Sequence, residues 1–356
     1  MKKYSDFNDM KLCYSALYDD ISRKMYMDRL SLDLSFDPSI VNHMVELYGA
    51  DKRFISFGYD ISSVLKAINE KIPIIIYGAG HYGKQWCEFL KTKHAKIIGF
   101  YDKNYKNLQN VMGFPVLEPP QKADGEYLIL ITPVNYIDDI YDDLLKKGFT
   151  PERLLKGCSK LENDVEHQYF DFRDKYPEGG AFVDAGCFDC DTSLRFSRWC
   201  DDKYSKIFAF EPDEKNIEIC KQVAKQNGLE RIEFYQLGLA KQSGAATFCV
   251  TGTSSSYISE DLEQGQKIIL STLDEIVGET KVSFIKMDIE GSELSALQGA
   301  TEIIQRDKPL CAISVYHKPG DMVVIMDYLL SLVPEYKFAL RHYSNVDAET
   351  VLYAFL

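Results

Sequence analysis

No apolar run in this chain approaches the roughly 20 residues that cross a bilayer as a helix, so no membrane span is expected. The first residues, Met1-Lys-Lys-Tyr-Ser-Asp6, lack the apolar core and small-residue cleavage site of a secretory leader. Basic charge is in deficit: 41 Lys and Arg stand against 54 Asp and Glu, a formal net charge of −13. A phosphate backbone needs a basic face, and this balance argues against nucleic acid as the main partner. Metal-ligand spacing is scarce too. Nine cysteines are scattered, and the one tight pair, Cys187 and Cys190, has no second Cys or His pair at similar spacing to complete a zinc site. They read as free thiols, and the expected location is a reducing cytoplasm.

What is present describes a globular chain. Hydrophobic residues make up 46% and charged residues 27% of 356 residues, too many for one ordinary core. Residues 1–70 carry apolar positions at helical spacing (Leu12, Leu17, Ile21, Met25, Leu30) and read as two or three helices, broken near Asp37-Pro-Ser39. Residues 71–160 alternate strand and helix. Ile74–Tyr77, Lys96–Tyr101 and Tyr127–Thr132 are the predicted strands of a small Rossmann-like unit. The glycine triplet Gly78, Gly80 and Gly83 follows the first strand in the spacing of a dinucleotide turn, with Asp102 at the second strand's end as a candidate ribose partner. A nucleotide, nucleotide-sugar or NAD is the ligand such a turn would take; a structural or dimerising module, giving a homodimer, is the alternative. Residues 161–180 are polar and read as a linker.

From 181 to 356 the alternation resumes. Ala181–Val183 is a strand signal that runs into Asp184, Gly186 and Cys187, then a polar turn opening a helix at Asp191. In an open α/β sheet this turn faces the crevice where a nucleotide-like cofactor lies. Glu211 ends the next strand, where a carboxylate can accept hydrogen bonds from both ribose hydroxyls, and Asp213 follows it. Asp288 and Glu290 lie just beyond a later strand, Ser283–Met287. His317 follows the strand Leu310–Val315 and is a candidate to take a proton from a substrate hydroxyl at neutral pH. Tyr316, His342 and Tyr343 are candidate acceptor-pocket aromatics, and the Ser254–Ser256 hydroxyls a candidate polar contact. No metal is assigned, although Asp288, Glu290 and His317 offer oxygen and imidazole donors. Gly244–Leu270 reads as irregular, and the chain closes in two strands, Tyr336–Arg341 and Thr350–Leu356, expected as an antiparallel hairpin.

Val183-Asp-Ala-Gly186, Phe210-Glu-Pro-Asp213, Ser271-Thr-Leu-Asp274 and Lys286-Met-Asp-Ile-Glu-Gly-Ser-Glu293, followed by Leu297-Gln-Gly-Ala300, resemble the FkbM family of S-adenosylmethionine-dependent methyltransferases. The resemblance covers about residues 180–356. It implies a class I methyltransferase sheet with a terminal antiparallel hairpin, and methyl transfer to a hydroxyl oxygen of a sugar or other small polar acceptor. It also implies that Asp184, Gly186 and Glu211 serve the cofactor and that Asp288 and Glu290 stand near the reacting atoms. Relatives carry glycine where Cys190 stands, so its side chain is expected to crowd the methionine portion of the cofactor. A domain that has lost its cofactor and only binds a partner is the competing expectation.

Overall fold

The computed structural model describes residues 7–48, 58–249, 257–259 and 266–356. Helices α1 (Phe7–Ser15), α2 (Asp20–Leu34), α3 (Pro38–Tyr48) and α4 (Ile61–Asn69) come first. The break at Asp37-Pro-Ser39 is real: Asp37 Oδ1 accepts from the Ser39 N–H at 2.9 Å as α3 begins. The following strands are β1 (Ile74–Tyr77), β2 (Ile97–Tyr101), β3 (Asn110–Val111), β4 (Phe114–Leu117), β5 (Leu128–Ile131) and β6 (Leu154–Lys156), with α5 (His81–Thr92) and α6 (Ile137–Lys146) between them. They form a six-stranded sheet in the order β3-β4-β2-β1-β5-β6, parallel except for the β3–β4 pair. Three of these strands were not expected, because two- to four-residue strands carry too little periodicity to register.

The C-terminal sheet is built from β7 (Ala181–Ala185), β8 (Ile207–Phe210), β9 (Ile232–Tyr235), β14 (Val282–Met287), β15 (Leu310–Ser314), β16 (Lys337–His342) and β17 (Thr350–Phe355). The intervening β10 (Gly238–Leu239), β11 (Gly244–Cys249), β12 (Tyr257–Ser259) and β13 (Gln266–Ser271) make a separate four-stranded sheet, where the sequence reads as irregular. Helices α7 (Asp191–Trp199), α8 (Glu214–Gln226), α9 (Leu273–Val277), α10 (Glu293–Gln298), α11 (Thr301–Asp307) and α12 (Asp321–Leu332) complete the chain. The seven-stranded order is β16-β17-β15-β14-β7-β8-β9. Pairing is parallel from β15 through β9, while β17 runs antiparallel to β15. Every residue of β7, β8, β14 and β15 is buried, as a parallel sheet covered on both faces requires. The strand order reverses between β14 and β7, which opens the crevice at their carboxyl ends.

Two compact units divide the chain: Met1–Lys24, Val165–Arg341 and Glu349–Leu356 form one, and Met25–Asp164 with His342–Ala348 the other. These limits fall elsewhere than at 70, 160 and 180. In the first unit the N-terminal residues add to the sheet: Phe338 donates to Ala16 O at 3.0 Å and Tyr18 donates to Phe338 O at 2.7 Å. Nor is 165–180 free of the core. Phe170 lies 5.4 Å from Trp199 and 6.2 Å from Phe284, ring to ring, and Tyr176 packs on Phe196. In the second unit, Tyr343 O and Asn345 N bond to Asp164 and Glu162. No helix among the described residues is long and apolar enough to cross a membrane.

Candidate functional site

At the carboxyl ends of β7, β8 and β14 a cleft of about 690 Å³ opens. Its wall starts with the turn after β7. Gly186 takes φ +81°, and a Cβ there would stand 2.0 Å from the Asp288 carbonyl oxygen, so only glycine lets the two strand ends approach this closely. Asp288 N–H donates to Ala185 O at 3.0 Å across the same junction. Cys187 and Asp191 line the cleft, and Asp191 is held by Arg195 at 2.6 Å.

Asp184 and Cys190 do not line it. Asp184 is fully buried behind the turn, where Oδ2 accepts from Ser193 Oγ at 2.7 Å and Oδ1 lies 3.1 Å from Lys286 Nζ. Its geometry is that of a support for the turn, where direct cofactor contact was expected. Lys286 Nζ also donates to Gly186 O at 2.7 Å. Burial by itself would lower the Lys286 pKa, but the Asp184 and Asp288 carboxylates outweigh it and hold the ammonium above its ordinary value. Cys190, at φ +70°, occupies the left-handed conformation that glycine takes freely, and its side chain is fully buried. Its thiol is buried and does not line the cleft, where crowding of the methionine portion was expected.

Glu211 closes the second wall at the end of β8. Oε1 accepts from the Asp213 N–H at 2.9 Å, while burial raises its pKa. Asp213 caps α8, accepting from Lys215 N and Asn216 N, and lines the cleft as well. Helix capping therefore falls to Asp213, and Glu211 is left facing the cleft.

The far end is acidic. Asp288, Glu290 and Glu349 line it together with Tyr169, Gln168 and Tyr316. Tyr169 OH donates to Asp288 Oδ2 at 2.6 Å, and Gln168 Nε2 donates to Glu349 Oε2 at 2.5 Å. Burial raises Glu290 to about 7, against the lowering influence of His317. Glu349 is also pushed up to about 7 by burial and by the Asp288 charge. His317 stands behind this wall, its side chain only 8% exposed, with Nε2 3.4 Å from Asp288, 3.6 Å from Glu290, and Nδ1 3.0 Å from buried Glu293. Burial would lower its pKa, but the surrounding carboxylates raise it to about 9. It is thus off the cleft wall, and the carboxylates around it favour its charged form, contrary to the role of a proton-accepting histidine.

Of the remaining candidates, Tyr316 lines the cleft, whereas His342 and Tyr343 are fully buried in the other unit. Ser254–Ser256 lie outside the described residues. In that other unit the glycine turn forms as expected, with Gly78 at φ +102° and Gly83 packed against the Gly78 carbonyl. Asp102, however, spends both oxygens on backbone: Oδ2 accepts from Ala79 N in the glycine turn and Oδ1 from Asn104 N in its own loop, each at 2.8 Å. The expected ribose contact is replaced by a backbone clamp, and the nucleotide or NAD assignment loses its acid. Gly80 faces open space.

Sequence reasoning missed Gln168, Tyr169, Glu349 and Lys286. The density of aromatics in Tyr169-Phe-Asp-Phe172 was the available signal against a linker, since a solvated connector has no use for them.

Residues 184–340 match the family model described as the methyltransferase FkbM domain. Among solved structures, the methyltransferase FkbM from Methylobacillus flagellatus KT aligns at 20% identity over 90% of this chain and 100% of that one, with a TM-score of 0.50. An rRNA methylase from Streptococcus thermophilus aligns at 16% identity over 53% of this chain and 93% of that one, TM-score 0.35. A putative methyltransferase from Streptococcus mutans in complex with SAH aligns at 14% identity over 54% and 97%, TM-score 0.33. The first of these likenesses is one of fold. A search of curated proteins found no match.

Proposed function

Starting from residues 184–340 as a methyltransferase FkbM domain on a class I methyltransferase fold, we propose that the chain transfers a methyl group from S-adenosylmethionine to a hydroxyl oxygen of a small polar acceptor, such as a sugar. The observation that carries this reading is the sharing of one cleft by the Gly186 turn and Glu211 at one end and by Asp288 and Glu290 at the other. The turn leaves backbone exposed for the methionine portion, and the Glu211 carboxylate on the cleft wall suits the ribose hydroxyls.

The sulfonium already activates the methyl carbon, so the chain has to align acceptor oxygen, carbon and sulfur, exclude water and take up one proton. As the O–CH₃ bond forms, the S–CH₃ bond breaks with its electron pair returning to sulfur, leaving S-adenosylhomocysteine. The acceptor's hydroxyl proton passes to Asp288 or Glu290, the carboxylates on the wall at that end. An anionic acceptor would meet Asp288, Glu290 and Glu349 together, which favours an uncharged hydroxyl compound over a phosphorylated one. Free, buried thiols such as Cys187 suit the reducing cytoplasm we assign to it.

Calorimetric titration with S-adenosylmethionine and S-adenosylhomocysteine tests the reading. Both should bind the wild-type chain, and Glu211→Ala should abolish binding while circular dichroism stays unchanged. A wild type that binds neither, or a Glu211→Ala protein with undiminished affinity, overturns it.

A further inference from the structure

Behind the acidic end of the cleft, three side chains converge without satisfying one another. A carboxylate oxygen from each of Asp288 and Glu293 and a ring nitrogen of His317 lie within 4.8 Å of one another. Glu293 is fully buried; Oε1 accepts from Ile289 N–H at 2.9 Å, but Oε2 has no hydrogen-bond partner. The His317 side chain is 8% exposed, and neither ring nitrogen makes an aligned hydrogen bond, although Nδ1 lies 3.0 Å from Glu293 and Nε2 3.4 Å from Asp288.

A histidinium caged by acids would turn its N–H bonds onto their oxygens, because a buried polar atom left unpaired costs about 1–3 kcal/mol. The acceptor left over is Glu293 Oε2, fully buried and without a partner beside the imidazole. The imbalance of charge is in the same sense. Asp288, Glu290 and Glu293 surround one imidazole, while the buried Lys286 ammonium that acts on Asp288 is already paired with Asp184. A cation at this place would relieve the repulsion and take the unpartnered Glu293 Oε2 and one ring nitrogen of His317 as ligands, displacing the proton from that nitrogen.

We propose that Asp288, Glu293 and His317 hold a divalent cation. Two carboxylates and one imidazole, with no thiolate, form a donor set for Mn²⁺, Zn²⁺ or Mg²⁺ and not for a thiophilic ion. Asp288 both belongs to the cluster and lines the cleft, so the ion stands at the wall where the acceptor is expected. Three protein ligands leave coordination positions for water or for a hydroxyl oxygen of the acceptor. With Asp288 committed to the ion, Glu290 is the carboxylate left to receive the acceptor's proton. That role rests on the methyltransferase reading; the binding of the ion does not.

The test is a titration of the full chain, stripped with chelator, with Mn²⁺ followed by electron paramagnetic resonance, and with Zn²⁺ as competitor. One ion per chain is expected, with affinity reduced about tenfold or more in both Glu293→Gln and His317→Ala. S-adenosylhomocysteine calorimetry on the same samples reports whether each variant retains its cleft, and His317→Gln serves as the second variant should His317→Ala fail to fold. Absence of Mn²⁺ and Zn²⁺ binding by the wild type overturns the proposal, as does equal affinity in folded variants. Mn²⁺ bound by a wild type that binds no S-adenosylhomocysteine would retain the ion and remove the methyltransferase reading.

Discussion

Lys286 and Gly186 show how much of the cleft depends on single residues. Lys286 is buried with its charge set against Asp184 and its N–H bonds on the carbonyls of the turn. Replacing it with methionine leaves the Asp184 carboxylate in the interior without a counter-charge, an arrangement that costs about 3–5 kcal/mol. Urea denaturation of Lys286→Met should show a loss of that size, and a loss below about 1 kcal/mol would mean that the pair contributes little. Gly186→Ala puts a methyl group 2.0 Å from a backbone oxygen at a φ that L residues rarely adopt. The strand ends must separate, so S-adenosylhomocysteine affinity should fall at least tenfold in calorimetry even where the domain remains folded. Neither role was legible in the sequence in full. The glycine could be assigned from its place after a strand, whereas the lysine, read only as part of a motif, gains its function from a turn 100 residues away.

At the scale of elements, the segment 165–180 decides the most. It contributes Phe170 to the aromatic core beside Trp199 and Phe284, and Gln168 and Tyr169 to the cleft wall. A polar connector would tolerate Phe170→Ala, but a core element should lose about 3–5 kcal/mol, as removal of a buried ring does. Chemical denaturation distinguishes the two. Tyr169→Phe deletes one hydroxyl that bonds to Asp288. Stability should change by about 1 kcal/mol, while turnover falls more than cofactor affinity, because the carboxylate it orients belongs to the acceptor end. Steady-state kinetics beside S-adenosylhomocysteine calorimetry gives that comparison. The composition of this segment concealed its packing: acidic and basic residues alternate with the aromatics, and only the fold turns the rings inward.

Across the whole molecule, the unit formed by Met25–Asp164 and His342–Ala348 should be sensitive to mild acid. His342 is fully buried, and burial together with the Arg29 charge lowers its pKa from 6.5 to about 4. The native imidazole therefore stays neutral where the unfolded one takes a proton. Its contribution is fully present above pH 6.5 and is lost as pH falls towards 4, by about 3 kcal/mol in all. Asp347, held at about 2 against the effect of burial by its bonds to His81 and Gln85, adds a further loss at lower pH, between its ordinary 3.8 and 2. Denaturation midpoints measured at pH 7, 5.5 and 4 should decline steadily, and His342→Phe should flatten that decline if the protein folds. A wild-type midpoint that does not move between pH 7 and 4 would contradict the assignment.

The two mainly parallel sheets and the strand ends from which a cofactor is met were legible in the order of residues, and the four-stranded β10–β13 sheet was not, because buried parallel strands are continuous apolar runs and the glycines and acids that follow them lie within a few residues in the chain. Gly186, Glu211, Asp288 and Glu290 were found that way, and they do line one cleft. Which neighbouring acids face inward came from the packing of the chain. It turned Asp184 onto Ser193 and Lys286, Asp102 onto Ala79 of the glycine turn and Cys190 into the interior, and it brought Tyr169 and Glu349 to Asp288 from opposite ends of the domain. Side-chain direction and long-range approach depend on backbone conformation and packing, and one-dimensional spacing encodes neither.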